Sequence, residues 1–275
     1  MTCYDLHSHS ITSDGALSPE DLIARAIAQG VNVLALTDHD GTEGLVAAQL
    51  ASQNTDLTLI PGVEISVTWG GGTVHILGLN IDANNVTLQQ GLMKMRMFRI
   101  ERAEKMAERL EKAGIAGALD GARKYSSDVM LGRLHFAQFL VEHGHAKDIG
   151  DVFKRFLVRN KPGYVAGEWA SLTDAVSWIT AAGGQAVIAH PARYKMTATK
   201  LRRLITDFKE AGGVGFEVVS GRQHPEEVKN LARLAEQFEL LASCGSDFHT
   251  PDNTWVELGH LAEFPKSCVP IWSTW

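Results

Sequence analysis

Along most of the chain, short apolar runs alternate with amphipathic stretches. "CYDLH" reads as a first strand, and "SPEDLIARAIAQG" as a helix that Ser18 caps, Pro19 starts and Gly30 ends. "VNVLALTDHD" is a second strand and "TEGLVAAQLASQ" a second helix. "LTLIPGVEISV" and "TVHILGLNI" predict two further strands, with "WGGG" turning between them. The alternation resumes late in the chain. Helix "SLTDAVSWITAAGG" leads to strand "QAVIAH", helix "TKLRRLITDFKEAGG" to "GFEVVS", and helix "PEEVKNLARLAEQFE" to "LLASCGSD". Strands alternating with helices of this length predict parallel βα units, and about seven of them fit a barrel-like (β/α) fold.

The middle breaks this rhythm. From about residue 88 to 160 only helical patterns occur: "LQQGLMKMRMFRIERAEKMAERLEKAG", "LHFAQFLVEHG" and "DVFKRFLVRN". The expected organisation is an α/β barrel built from residues 1–87 and 166–275, with a helical insertion, or cap, over it at 88–165. Met93, Met95, Met97 and Met106 are expected to face the core. Residues 121–165 hold eight Lys/Arg against four Asp/Glu, which reverses the balance of the whole chain. Such an excess marks either a solvated face or a local site for anions.

Composition narrows the class. With 275 residues, 45% hydrophobic and 21% charged, the chain is long enough for one large core or a core plus an insertion. A formal net charge of −6 argues against a general polyanion-coating protein. Cys3, Cys244 and Cys268 have no metal-type spacing and read as reduced thiols of a cytoplasmic protein. No apolar run approaches the roughly 18 residues of a membrane span, and no leader pattern opens the chain.

The opening "DLHSHSITSDG" is the first sign of chemistry. Alternation along a strand puts Asp5, His7 and His9 on one face, so two imidazoles can grip one cation. A single such pair also occurs on ordinary surfaces. Polar residues recur, however, where other strands end or begin: Asp14, His39 in "LTDHD", Glu64 in "PGVEIS", His75 in "VHILG", His190 in "VIAHPAR", and Asp247 and His249 in "CGSDFH". In such barrels the carboxyl ends of the strands face one mouth. Six imidazoles and three carboxylates converging there need a counter-charge, which divalent cations supply. Nitrogen and oxygen donors without thiolate suit Zn²⁺, Mn²⁺ or Fe²⁺. Nine ligands exceed one ion and fit two or three, with Glu64 as a bridge. Asp38 and Asp40 flank His39 and read as partners that orient imidazoles.

"DLHSH…SDG", "LTDHD", "GVEIS…HILG", "AHP" and "GSDFH" together resemble the PHP (polymerase and histidinol phosphatase) family of amidohydrolase-like barrels, over nearly the whole chain. The resemblance is closest to the bacterial branch of 3′,5′-nucleoside bisphosphate phosphatases and the related 5′→3′ exoribonuclease. That branch carries a "GRxHF" stretch, here Gly132 to Phe136, and "KPGYV", here Lys161 to Val165. Its "HPGR" appears as "HPAR", with Ala192 in place of glycine and Arg193 kept.

The resemblance implies a distorted (β/α)7 barrel and a phosphoesterase. It implies one ion on His7, His9, Glu64 and Asp247, a second on Glu64, His75 and His190, and a third on Asp14, His39 and His249, with Mn²⁺ the first choice. His7, His9, Glu64, Asp247 and Arg193 would form the catalytic set. Arg133, His135, Lys161 and Arg193 would anchor the substrate, a nucleotide or the 5′-phosphorylated end of an RNA, with no membrane partner. Two other readings stay open: a phosphatase for a small metabolite such as histidinol phosphate, and a non-catalytic metal-stabilised module that binds RNA or protein.

Overall fold

The computed structural model describes residues 2–125 and 131–275; residues 126–130 of the expected insertion lie outside it. Seven strands run in sequence order around a nearly closed barrel: β1 (Tyr4–Asp5), β2 (Val33–Leu36), β3 (Thr58–Trp69), β4 (Gly72–Leu79), β5 (Gln185–Ile188), β6 (Gly215–Ser220) and β7 (Leu241–Gly245). β1 meets β7 through the Leu6 N–H, which donates to the Cys244 carbonyl at 2.9 Å. The close approach there requires Gly245, since a Cβ on it would lie 2.3 Å from the Cβ of His7.

The pairing differs from an all-parallel barrel at one strand. β3 and β4 form an antiparallel hairpin across the Gly70–Gly71 turn, and β4 pairs antiparallel with β5. The turn is too short for the crossover that a parallel pair needs. The beginning of β4, not its end, therefore shares the mouth with the carboxyl ends of the other strands, and this brings His75 to the site.

The remaining strands feed helices in the expected way. Helix α1 (Pro19–Ala28) starts where the Ser18 side chain accepts the Asp21 N–H, and ends just before Gly30, at φ +76°. Helix α2 (Leu45–Ser52) follows β2. Helices α7 (Leu172–Ala181), α8 (Ala198–Glu210) and α9 (Pro225–Gln237) precede β5, β6 and β7. The strand segments "VLAL" and "AVI" are buried on both faces, which explains their unbroken apolar character.

Between β4 and α7 lie helix α3 (Val86–Lys112), α4 (Ala118–Arg123), α5 (Arg133–Glu142) and α6 (Ile149–Val152), the last continued by a wide turn at Phe153–Leu157. The first half of α3 packs through Leu88, Leu92 and Met95 into the barrel's core. Its second half, from Ala103, joins α4–α6 in a separate core around Met106, Leu110, Phe136 and Leu140. Helix α3 thus belongs to both layers. Met95 and Met106 are buried, as expected, but Met93 and Met97 are more than half exposed. The pairs fall on opposite faces because residues four apart share one side of a helix and residues two apart do not. All three cysteines are free, and Cys244 and Cys268 are buried. Among the described residues no helix is long and apolar enough to cross a membrane.

Candidate metal centre

Each strand end delivers polar side chains to one point. His7 and His9 follow β1, Asp14 lies in the loop to α1, and His39 follows β2 and bridges to Glu64 in β3. His75 faces Ser66 across the hairpin, His190 follows β5, and Asp247 and His249 follow β7. The fully buried Glu64 is the hub. Its Oε2 lies 3.3 Å from His7 Nε2, 3.3 Å from His9 Nε2 and 3.1 Å from His39 Nδ1. Its Oε1 lies 2.9 Å from both His75 Nδ1 and His190 Nε2. Asp247 Oδ1 meets His9 Nε2 at 3.1 Å and His7 Nε2 at 3.3 Å. Asp14 meets His249 Nε2 at 3.2 Å and His39 Nε2 at 3.7 Å.

Two of these residues sit in strained backbone. His190 (φ 28°) and Asp247 (φ 55°) occupy the left-handed region, at about 1–3 kcal/mol each. Hydrogen bonds hold both: the His190 N–H donates to Glu217 at 2.5 Å, and the Asp247 N–H to the His7 carbonyl at 2.8 Å.

The donor atoms fit a set of divalent cations. His7 Nε2, His9 Nδ1, His39 Nδ1, His190 Nδ1, Asp14 Oδ1 and Glu64 Oε2 are buried without a hydrogen-bond partner. All of these but His190 Nδ1, whose ring turns Nε2 to Glu64, belong to residues whose donor atoms converge, and a bound cation removes the desolvation cost of such atoms. Donor atoms converge in three groups: His7, His9, Glu64 and Asp247; His9, Asp14, His39 and His249; and His39, Glu64 and His75. His190 adds a nitrogen 3.3 Å from His75 Nδ1.

Electrostatics show what balances the cluster when it holds only protons. Burial pushes the Glu64 carboxyl up, but His39, His75 and His7 together hold it well below the usual carboxylate range. Asp247 is likewise held down, by His7 and His249 against burial. Burial lowers the His9 imidazole, yet Asp247 and Glu64 override it and raise the pKa to about 10. His39 is pulled down to about 3, by burial and by the neighbouring His9 and His75, against Glu64 and Asp14. A divalent cation bound here would take the place of protons at these nitrogens.

One buried carboxylate escaped sequence reasoning. Glu217 of β6 accepts from His7 Nδ1 at 3.0 Å and from the His190 backbone, and so touches two members of the cluster. With the proton on Nδ1, the His7 lone pair is fixed at Nε2, toward Glu64 and Asp247. A register shift in β6 at Glu217 and Val219 accompanies this placement. Its signal was a lone acid in the apolar run "GFEVVS". Glu217→Gln should weaken metal binding about ten- to a hundredfold, because an amide cannot accept at both positions. Competition with a chromogenic chelator measures this, and an unchanged affinity would rule out an orienting role.

Asp38 and Asp40 do other work than expected. Asp38 accepts from Ser10 and Ser13 at 2.6–2.8 Å and fixes the loop carrying His9 and Asp14. Asp40 accepts the Ser66 N–H at 2.7 Å and the Arg99 guanidinium. Neither hydrogen-bonds an imidazole, because their loops turn them away from the rings they flank.

Beside the cluster lies a cleft of about 250 Å³, the scale of a small ligand. Asp14, His39 and His75 form its floor; Arg99, Arg102, Arg133, His135, Tyr164 and Trp169 line its walls. Arg102 is only 7% exposed, yet among the described residues its guanidinium is partnered by the Val165 carbonyl, at 3.1 Å, and the face of Trp169. Burial, with Arg133 and Arg99 nearby, lowers its pKa to about 10. Among the described residues neither Arg102 nor Arg133 has a carboxylate partner, so the cleft is electropositive. His135 accepts the Gly132 N–H at Nδ1, which leaves an Nε2–H donor in the neutral ring. Of the four expected anchors, Arg133 and His135 line the cleft. Lys161 is exposed on its loop, outside the cleft lining, and Arg193 is ion-paired with Asp247. Arg99, Arg102 and Trp169 escaped sequence reasoning, whereas Tyr164 lies within the "KPGYV" stretch of residues 161–165.

A barrel with a histidine-rich, carboxylate-bridged centre and an adjoining cationic cleft defines a hydrolase for anionic esters. The PHP domain profile matches residues 5–164. The 3′,5′-nucleoside bisphosphate phosphatase of Chromobacterium violaceum is 49% identical, over 99% of this chain and 96% of its own length. The 5′-3′ exoribonuclease Rnm of Escherichia coli K12 is 45% identical, over 99% and 93%. The structure of an amidohydrolase from Chromobacterium violaceum with bound sulfate and no metal superposes with a TM-score of 0.94 at 48% identity, over 99% of this chain and 95% of that one. The chain belongs to the PHP family, and it is a phosphoester hydrolase of that family with a candidate metal site.

Proposed function

We propose that this enzyme hydrolyses the 3′-phosphate ester of 5′-phosphorylated nucleotides. The substrate is a 3′,5′-nucleoside bisphosphate, the first residue of a 5′-phosphorylated RNA, or both. The observation that carries the reading is the cleft itself: two guanidiniums with no carboxylate partner among the described residues line it beside the ligand cluster, where a second phosphate on the same molecule would bind. Both curated relatives act, by name, on substrates of this chemistry.

In this reading His7, His9, Asp14, His39, Glu64, His75, His190, Asp247 and His249 hold two to three divalent ions, with Mn²⁺ the native metal of a cytoplasmic enzyme. Bound cations supply an activated water and positive charge for the phosphoryl oxygens. Arg102 and Arg133, carried by the cap helices of 88–165, bind the 5′-phosphate through forked donors. His135 offers its Nε2–H to the same group. Trp169, with the Arg99 and Arg102 guanidiniums over its ring at 4.9 and 5.3 Å, gives the cleft an aromatic wall for the nucleoside. Arg193, half exposed beside Asp247, meets the scissile phosphate. A histidinol-phosphate-like substrate has no second anion for the cleft and is therefore disfavoured.

A phosphate-release screen with Mn²⁺ tests this. Adenosine 3′,5′-bisphosphate should be turned over at least about tenfold more efficiently than adenosine 3′-phosphate or histidinol phosphate, because the second phosphate adds charge-assisted contacts. A preference for histidinol phosphate would overturn the assignment.

A further inference from the structure

The loops after β6 and β7 form a part of the mouth that the cleft does not use. Gly221 follows β6 directly and packs on Arg193: a Cβ added to it would lie 3.3 Å from the Arg193 Nη2. The next residue, Arg222, places its guanidinium carbon 4.5 Å from the ring centroid of Trp255, in the loop after β7. Trp255 is 69% exposed, the most open of the tryptophans. A continuous strip thus runs from Asp247 through Arg193 and Gly221 to Arg222 and Trp255. No member of it lines the cleft that holds Arg102 and Arg133. Most acids nearby are already engaged. Glu226 pairs with Lys229, Glu227 accepts the His224 N–H, and Glu257 pairs with Arg25. Asp252 is the exception.

We propose that this strip binds single-stranded RNA, namely the nucleotides that follow the scissile phosphate. The inference rests on the proposed 3′-ester cleavage. If the 5′-phosphorylated residue occupies the cleft and its 3′-phosphate lies over the ligand cluster, the rest of an RNA chain leaves past Asp247 and Arg193. An exposed indole with a guanidinium against it suits a base stacking on the ring and a phosphate beside the arginine. Such contacts do not depend on sequence, as removal of successive nucleotides demands. A 3′,5′-bisphosphate ends at the scissile phosphate and does not reach the strip.

The substitutions Trp255→Ala, Trp255→Phe and Arg222→Ala test this on the Mn²⁺-loaded enzyme. The readouts are kcat/KM on adenosine 3′,5′-bisphosphate and on a 5′-phosphorylated RNA pentamer. Trp255→Ala should lower the pentamer value by about five- to a hundredfold, the range for one lost base–aromatic stack. Trp255→Phe should recover much of it, and the bisphosphate value should stay within about twofold. Equal losses on both substrates, or no loss on the pentamer, would overturn the strip. Fluorescence anisotropy with a phosphorothioate-linked pentamer separates this from the functional reading. If the enzyme cleaves neither substrate, the proposed function fails, while weaker pentamer binding by Trp255→Ala still supports the strip and unchanged binding refutes it.

Discussion

Glu64→Gln is expected to leave a folded protein that no longer holds its metal ions and turns over phosphoesters orders of magnitude more slowly. Glu64 lies within 3.3 Å of five imidazoles and bridges the donor groups on both of its oxygens. A glutamine of the same shape removes the charge and aims N–H donors at nitrogen lone pairs. With about 1.5–3 kcal/mol for each of two lost charge-assisted contacts, metal affinity should fall by about two to four orders of magnitude. Asp247→Asn should show the same direction with a smaller loss, because Asp247 reaches fewer partners. Metal content after dialysis, and chelator competition on the purified variants, read the effect apart from turnover. Wild-type metal content in Glu64→Gln would remove the hub from the account.

Arg102→Ala is expected to abolish most of the preference for a 5′-phosphate. The wild type should favour 5′-phosphorylated over 5′-hydroxyl RNA dinucleotides by about a hundredfold or more, since the cleft gathers several charge-assisted donors. Losing Arg102 should lower kcat/KM on the phosphorylated dinucleotide by about ten- to a hundredfold, and change the 5′-hydroxyl rate little. Arg133→Ala should act alike. Lys161→Ala should have little effect, because Lys161 lies outside the cleft lining. Arg102→Lys keeps the charge but not the fork, so its loss should fall in between. Equal wild-type rates on the two dinucleotides would mean that the cleft does not read the 5′ end.

The periodic elements were legible because they depend on local pattern. Ser18 and Gly30 bound α1 as read, and the strand runs "VLAL" and "AVI" are apolar because both faces are buried. The cluster was legible for a different reason: polar residues at strand ends stand out against apolar neighbours, and all nine meet in space. Tertiary contacts left weaker traces. Helix α3 divides its length between two cores, so the pattern alone did not separate buried Met95 from exposed Met97. Arg102 sits in a helix rich in charge, where nothing local distinguishes a guanidinium aimed into a cleft from one in solvent. Asp38 and Asp40 lie next to a ligand in sequence, yet the turn there sends them to serines and to Arg99.

In the proposed reaction the enzyme cuts the 3′-ester while the cleft retains the 5′-phosphate. The most direct measurement follows adenosine 3′,5′-bisphosphate by ³¹P NMR during turnover with Mn²⁺. Inorganic phosphate and adenosine 5′-phosphate are the expected products, in equal amounts. Adenosine 3′-phosphate as the nucleotide product would contradict this reaction, because the two phosphates would then have exchanged places between cleft and metal centre.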